Sequence, residues 1–133
     1  MIVVDTNIIV YLYLAGERSR QSEELLSHDS DWAAPLLWRS EFRNVLTHYL
    51  RKKLLTLHDI MLIIEEAESL MLGNEYEVSS AQIMPLADLS GCSAYDCEFV
   101  ALAKSLNVPL VTADQKILRE FPDTAKAAEI FLG

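Results

Sequence analysis

Ile2-Val3-Val4-Asp5-Thr6-Asn7, at the start of the chain, is an apolar run cut off by a carboxylate. Three consecutive apolar residues without polar alternation suit a strand buried on both faces, as in a parallel sheet. Thr6 or Asn7 can then cap a helix through Ile8, Ile9, Leu12 and Tyr13, which Gly16 stops. The same alternation continues outward. Ser19 opens a helix through Leu25 and Leu26, and Asp31-Trp32-Ala33-Ala34 reads as a second strand closed by Pro35. Pro35 suits the first turn of the next helix, where Leu37, Trp38, Phe42, Val45, Leu46 and Tyr49 recur at helical spacing. Thr56 with Asp59 begins a long helix through Ile60, Ile63, Ile64 and Ala67. Glu75 to Ser79 reads as a brief strand. A helix through Ile83, Leu86 and Ala87 follows, then another behind Ser93 through Phe99, Leu102, Ala103 and Leu106. Val108-Pro109-Leu110-Val111 is the next strand and runs into Thr112-Ala113-Asp114. A short helix at Gln115 to Arg119 and a final strand at Ala128 to Phe131 complete the chain. Strands separated by helices imply βαβ units, so the expected class is α/β, with a central parallel sheet of about four to five short strands flanked by helices.

The chain has 133 residues, 51% of them hydrophobic, which is enough for one core. With no linker-like stretch and no internal repeat, residues 1–133 are expected to form one domain. The apolar first sixteen residues lack a basic flank and are interrupted by Asp5. No apolar run approaches the roughly twenty residues of a membrane span. A cytoplasmic protein without membrane association is therefore expected. Cys92 and Cys97 have no histidine at metal-ligand spacing and read as small hydrophobes in a reducing compartment. The net charge of −9 opposes broad electrostatic attraction to nucleic acid.

Four carboxylates occupy positions that call for a reason. Asp5 and Asp114 follow apolar strands, at the sheet edge where open α/β folds bind ligands. Either could simply cap the helix that follows. Glu41 projects into the apolar half of its helix, between Leu37 and Val45, and Asp96 shares a face with Phe99, Val100 and Ala103. A carboxylate turned toward a core is costly unless it is paired or binds metal. A buried salt bridge would also account for Glu41, and helix capping beside Ser93 for Asp96. Acids brought together repel and raise one another's pKa, and a hard cation such as Mg²⁺ or Mn²⁺ relieves that repulsion. Such a site can polarise a phosphoryl oxygen and activate water. There is no Ser-His or Cys-His arrangement to compete, and no phosphate-binding G-x-x-x-x-G-K-[ST] loop.

Val4-Asp5-Thr6-Asn7, Arg39-Ser40-Glu41-Phe42-Arg43-Asn44-Val45-Leu46, Ser93-Ala94-Tyr95-Asp96 and Val111-Thr112-Ala113-Asp114 occur in that order. Together they resemble a PIN domain, above all the small stand-alone VapC-type toxins of prokaryotic toxin–antitoxin pairs. The resemblance covers nearly the whole chain. It implies a Mg²⁺- or Mn²⁺-dependent endoribonuclease in which Asp5, Glu41, Asp96 and Asp114 are the catalytic metal ligands, directly or through water. It further implies that Asn7 and Thr112 orient a carboxylate or a water, that RNA is cut to leave a 5′-phosphate and a 3′-hydroxyl, and that the protein is a homodimer restrained by a small antitoxin. A stand-alone PIN ribonuclease without an antitoxin would share all four motifs.

Five of the eleven basic residues (Arg39, Arg43, Arg51, Lys52, Lys53) fall along one helix and its end, and Lys116 and Arg119 follow Asp114. Arg39, Arg43, Lys116 and Arg119 are the candidate RNA contacts, set against the plainer reading of a solvated helix face. Two other functions compete with a nuclease. A haloacid-dehalogenase-like phosphatase also has an Asp after its first strand, but it wants a second acid where this chain has Asn7, and it gives Glu41 no role. A non-catalytic PIN interaction module would not need the four acids intact.

Overall fold

The computed structural model describes residues 1–133. In chain order the elements are β1 (Ile2–Val4), α1 (Thr6–Tyr13), α2 (Ser19–His28), β2 (Trp32–Pro35), α3 (Leu37–Arg51), α4 (Leu57–Leu70) and β3 (Glu75–Tyr76). There follow α5 (Ser80–Leu89), α6 (Ala94–Leu106), β4 (Leu110–Val111), α7 (Gln115–Glu120), β5 (Ala125–Lys126) and α8 (Ala128–Leu132). The α/β expectation holds: the five strands form one parallel sheet in the order β3-β2-β1-β4-β5.

That order places the site. The chain lays down β1, β2 and β3 toward one edge, then crosses to add β4 and β5 on the other side of β1. The direction of growth reverses between β1 and β4, and the crevice beyond the carboxyl ends of strands at such a reversal is where α/β sheets take ligands. Val4 pairs with Val111, so Asp5 and Thr112 leave the sheet side by side.

Every residue of β1 and β2 is buried, as a sheet covered on both faces requires. Trp32, Trp38, Phe42 and Phe99 are the largest fully buried side chains. From Phe99 to Ala103 helix α6 is buried continuously, and it packs on β1 and β2. Removing a ring there, as in Phe99→Ala, costs about 3–5 kcal/mol in lost transfer energy and cavity. Ser93 caps α6 by accepting from the Asp96 N–H at 3.1 Å. Asn107, in the left-handed region at φ 55°, ends the helix, and Val108 N–H returns to the Ala103 carbonyl. Thr56 and Asp59 form the reciprocal box read from sequence, at 3.1 Å in each direction.

Several boundaries differ from the sequence reading. Asp5, rather than Thr6 or Asn7, caps α1, which ends at Tyr13, three residues before Gly16. Pro35 closes β2, paired with Tyr76, and α3 starts only at Leu37; lacking an N–H, proline is tolerated at a strand end. The expected strand at Ala128 to Phe131 is instead helix α8, packed on α2. The last strand lies earlier, at Ala125–Lys126, where two residues complete the edge beside β4. Two residues are too few to show an alternation. Cys92 and Cys97 are free and buried, and no helix is long and apolar enough to cross a membrane.

Candidate active site

Asp5 leaves β1 as the cap of α1, with Oδ1 accepting from the Thr6 N–H at 2.8 Å. Its Oδ2 accepts from the Thr112 hydroxyl at 2.6 Å and from the Asn7 amide at 3.4 Å. The residue is 8% exposed. Burial is the main reason its pKa rises to about 6; the Thr112 hydroxyl and Thr6 N–H oppose the rise, and the charges of Glu41 and Asp96 add to it.

Glu41 is half-buried on α3, next to the fully buried Phe42. Its Oε1 accepts from the Thr6 hydroxyl at 2.7 Å. Burial pushes its carboxyl up, the Thr6 bond holds it down, and the charges of Asp96 and Glu98 push it up again. Asp96, in the first turn of α6, is also raised, first by burial and then by the charge of Asp114, with Lys116 nearby opposing. Asp114 caps α7: its Oδ1 accepts from Ile117 N–H at 2.9 Å, and its own N–H donates to Thr112 Oγ1 at 3.0 Å.

These four acids line one cleft of about 360 Å³, together with Thr6, Asn7 and Tyr11. None of its lining residues is basic. None of the four acids is ion-paired to lysine or arginine, which removes the salt-bridge reading of Glu41. The capping reading is correct for Asp5 and Asp114 but incomplete, since each also faces the cleft. As the side chains stand, no three acids close tightly enough on a common point to grip a bare ion.

Thr112 and Asn7, expected beside the acids, are there. The fully buried Thr112 hydroxyl joins Asp5 to the Asp114 backbone. Asn7 joins Asp5 to the Ala113 N–H, at 3.3 Å from its Oδ1. At the position where a phosphatase would need its second acid, this chain has an amide brace. The basic candidates divide. Lys116 lies near Asp96, and Arg119 is exposed in the last turn of α7. Arg43 donates to the Arg39 carbonyl along its own helix. Arg39 is engaged elsewhere: its guanidinium pairs with Glu75 at 2.6 Å and Glu68 at 3.0 Å, and Trp38 Nε1 donates to the same Glu75. It braces α3 against β3 and α4 and does not line the cleft.

Three residues escaped the sequence reading. Thr6 fixes Glu41, Tyr11 forms part of the cleft wall, and Glu98 lies close enough to act on Glu41. Nothing local marks the role of Thr6, because its partner Glu41 comes from α3.

The pattern of the PIN domain matches residues 2–125. The chain belongs to the PIN domain family. A relative in this family, "Ribonuclease VapC3" of Pyrobaculum aerophilum, is 30% identical over 125 residues, covering 91% of this chain and 95% of that protein. Among solved structures, PAE2754 from Pyrobaculum aerophilum superposes with a TM-score of 0.77 at 19% identity, covering 98% of this chain and 85% of that one. A toxin–antitoxin complex from Klebsiella pneumoniae superposes at 0.72 and 17% identity, covering 96% and 98%. At these identities the structures show a fold shared with this chain.

Proposed function

We propose that this PIN-domain protein is a divalent-metal-dependent endoribonuclease and the toxin of a VapBC-type toxin–antitoxin pair. The observation that carries the reading is the convergence of four carboxylates, without a basic partner, at the carboxyl edge of the sheet where its order reverses. The similarity to a VapC ribonuclease supports RNA as the substrate.

The donor set fits the cation. An all-oxygen, carboxylate-rich cleft suits Mg²⁺ or Mn²⁺ and offers nothing to a thiophilic metal. Since no three acids close on a common point, the ion would keep several waters and take one or two carboxylates directly. Asp5, Glu41, Asp96 and Asp114 would hold it, and bound there it supplies Lewis-acid polarisation of a phosphoryl oxygen and acidifies water for in-line attack on phosphorus. The chain's own work is positioning. Thr112 and Thr6 N–H keep Asp5 oriented with both oxygens engaged. Thr6 Oγ1 turns one Glu41 oxygen toward α1, and Asn7 ties the Asp5 side to the Ala113 backbone. Lys116, beside Asp96, offsets part of the acid charge and can meet a substrate phosphate.

An antitoxin partner and a homodimer belong to the same proposal. The Klebsiella neighbour is a toxin–antitoxin complex, and Leu54, Leu57 and Met61 stand exposed around the start of α4, an apolar surface suited to a protein partner. Purified protein should cleave RNA with added Mg²⁺ or Mn²⁺ and stop on EDTA. Induced expression should arrest growth, and a small co-purifying protein should relieve the arrest. Harmless expression in a host whose RNA the enzyme cuts in vitro would remove the toxin role and leave the nuclease.

A further inference from the structure

Beside the acid cleft lies a second groove of about 370 Å³, and the two share Val10 and Tyr11 as a common wall. The groove runs between the end of α1, the α1–α2 turn and Tyr49 of α3. Its one cation is Arg18, whose guanidinium sits over the Tyr11 ring at 5.5 Å from the centroid. Arg18 is exposed, forms no ion pair, and occupies the N-cap position of α2 without making a side-chain capping bond. The guanidinium therefore has no structural duty beyond its stack on Tyr11. In a chain of net charge −9, an unpaired arginine held against an aromatic ring next to the acids is the arrangement that single-stranded nucleic acid uses: ring and guanidinium faces for a base, a cation for its phosphate.

We propose that this groove, given the ribonuclease reading above, is the subsite for the unpaired nucleotide next to the scissile phosphate, with Tyr11 and Tyr49 stacking its base and Arg18 meeting its phosphate. Lys116 lies near Asp96, and Arg18 lines the groove that shares Tyr11 with the acid cleft.

The test uses the full chain and a short single-stranded RNA that the wild type cuts in Mn²⁺. Tyr11→Leu should raise KM about thirtyfold, the middle of the range for loss of one base–aromatic stack. Arg18→Ala should raise KM comparably, with kcat changing far less in both. Arg20→Ala, whose exposed side chain pairs with Glu24, should behave as wild type. In the Asp96→Asn background, RNA binding followed against salt should lose about 0.7 from its log–log slope on adding Arg18→Ala, the value for one single-strand phosphate contact. Unchanged KM and slope in Arg18→Ala, or a fall in kcat with KM unchanged, would overturn the subsite while leaving the nuclease intact. Failure of the wild type to cut or bind any RNA would overturn the nuclease reading, and the subsite with it.

Discussion

The Thr112 hydroxyl donates to Asp5 and accepts from the Asp114 backbone, so one buried side chain sets the spacing of two acids from adjacent strands. Thr112→Val keeps the shape and deletes both bonds. It should cost about 1–3 kcal/mol, because the buried Asp5 loses its strongest donor. It should also weaken metal-dependent activity about 10–100-fold, as loss of a ligand-orienting partner does; thermal melts and a Mn²⁺ titration of cleavage would measure each. A variant that melts earlier but needs no more Mn²⁺ would make Thr112 a purely structural residue. At this scale the sequence was legible where chemistry is local. Four carboxylates on apolar faces or at strand ends stand out from composition and projection. Arg39 did not, since its partner Glu75 lies 36 residues away and meets it only through the parallel pairing of β2 with β3. The role of Thr6 was hidden for the same reason: Glu41 is brought to it by the packing of α3 on α1.

Among the elements, the Arg39–Glu75 contact ties α3 to the edge strand β3, reinforced by Trp38 Nε1 at 2.8 Å. The Arg39 guanidinium holds the Glu75 carboxyl below its ordinary value, with Trp38 adding and burial opposing. A carboxyl lowered on folding contributes stability above its unfolded pKa, near 4.5, and that contribution is lost as pH falls through the folded value. Arg39→Ala should therefore destabilise the protein at pH 7 by about 1–3 kcal/mol. The difference from wild type should shrink below pH 4.5; a difference constant down to pH 3 would show that packing of the arginine stem, not the ion pair, is what matters. Ser93→Ala should cost about 1 kcal/mol in melts through loss of the α6 cap. Helices with a Ser/Thr cap were readable from sequence because the cap and the first turn are neighbours in the chain. Strands β3, β4 and β5 have two residues each, too short to carry a pattern, which is why the end of the chain read as a strand where α8 lies.

Over the whole molecule, the sheet order gathers acids from β1, α3, α6 and the end of β4 into one place, at a cost in repulsion that the metal-free protein bears. Asp96→Asn should raise the melting temperature of the metal-free protein by roughly a few degrees, since relief of about 1 kcal/mol shifts Tm by that much at this size. Saturating Mn²⁺ should raise the wild-type Tm more than that of the variant. Loss of stability in metal-free Asp96→Asn would argue that the acids hold the fold together and do not strain it. The α/β class was legible from the alternation of apolar runs and helical periods. The strand order was not, because pairing lies in contacts between distant segments; it determines that the four acids meet. The most direct test is cleavage of a panel of structured and unstructured RNAs against Mn²⁺ concentration, with wild type and Asp96→Asn side by side. The prediction is metal-dependent cleavage that EDTA abolishes and that Asp96→Asn lowers more than about a hundredfold, since even residues that only orient a metal ligand are worth about 10–100-fold. Cleavage that survives in EDTA, or is undiminished in folded Asp96→Asn, would contradict it.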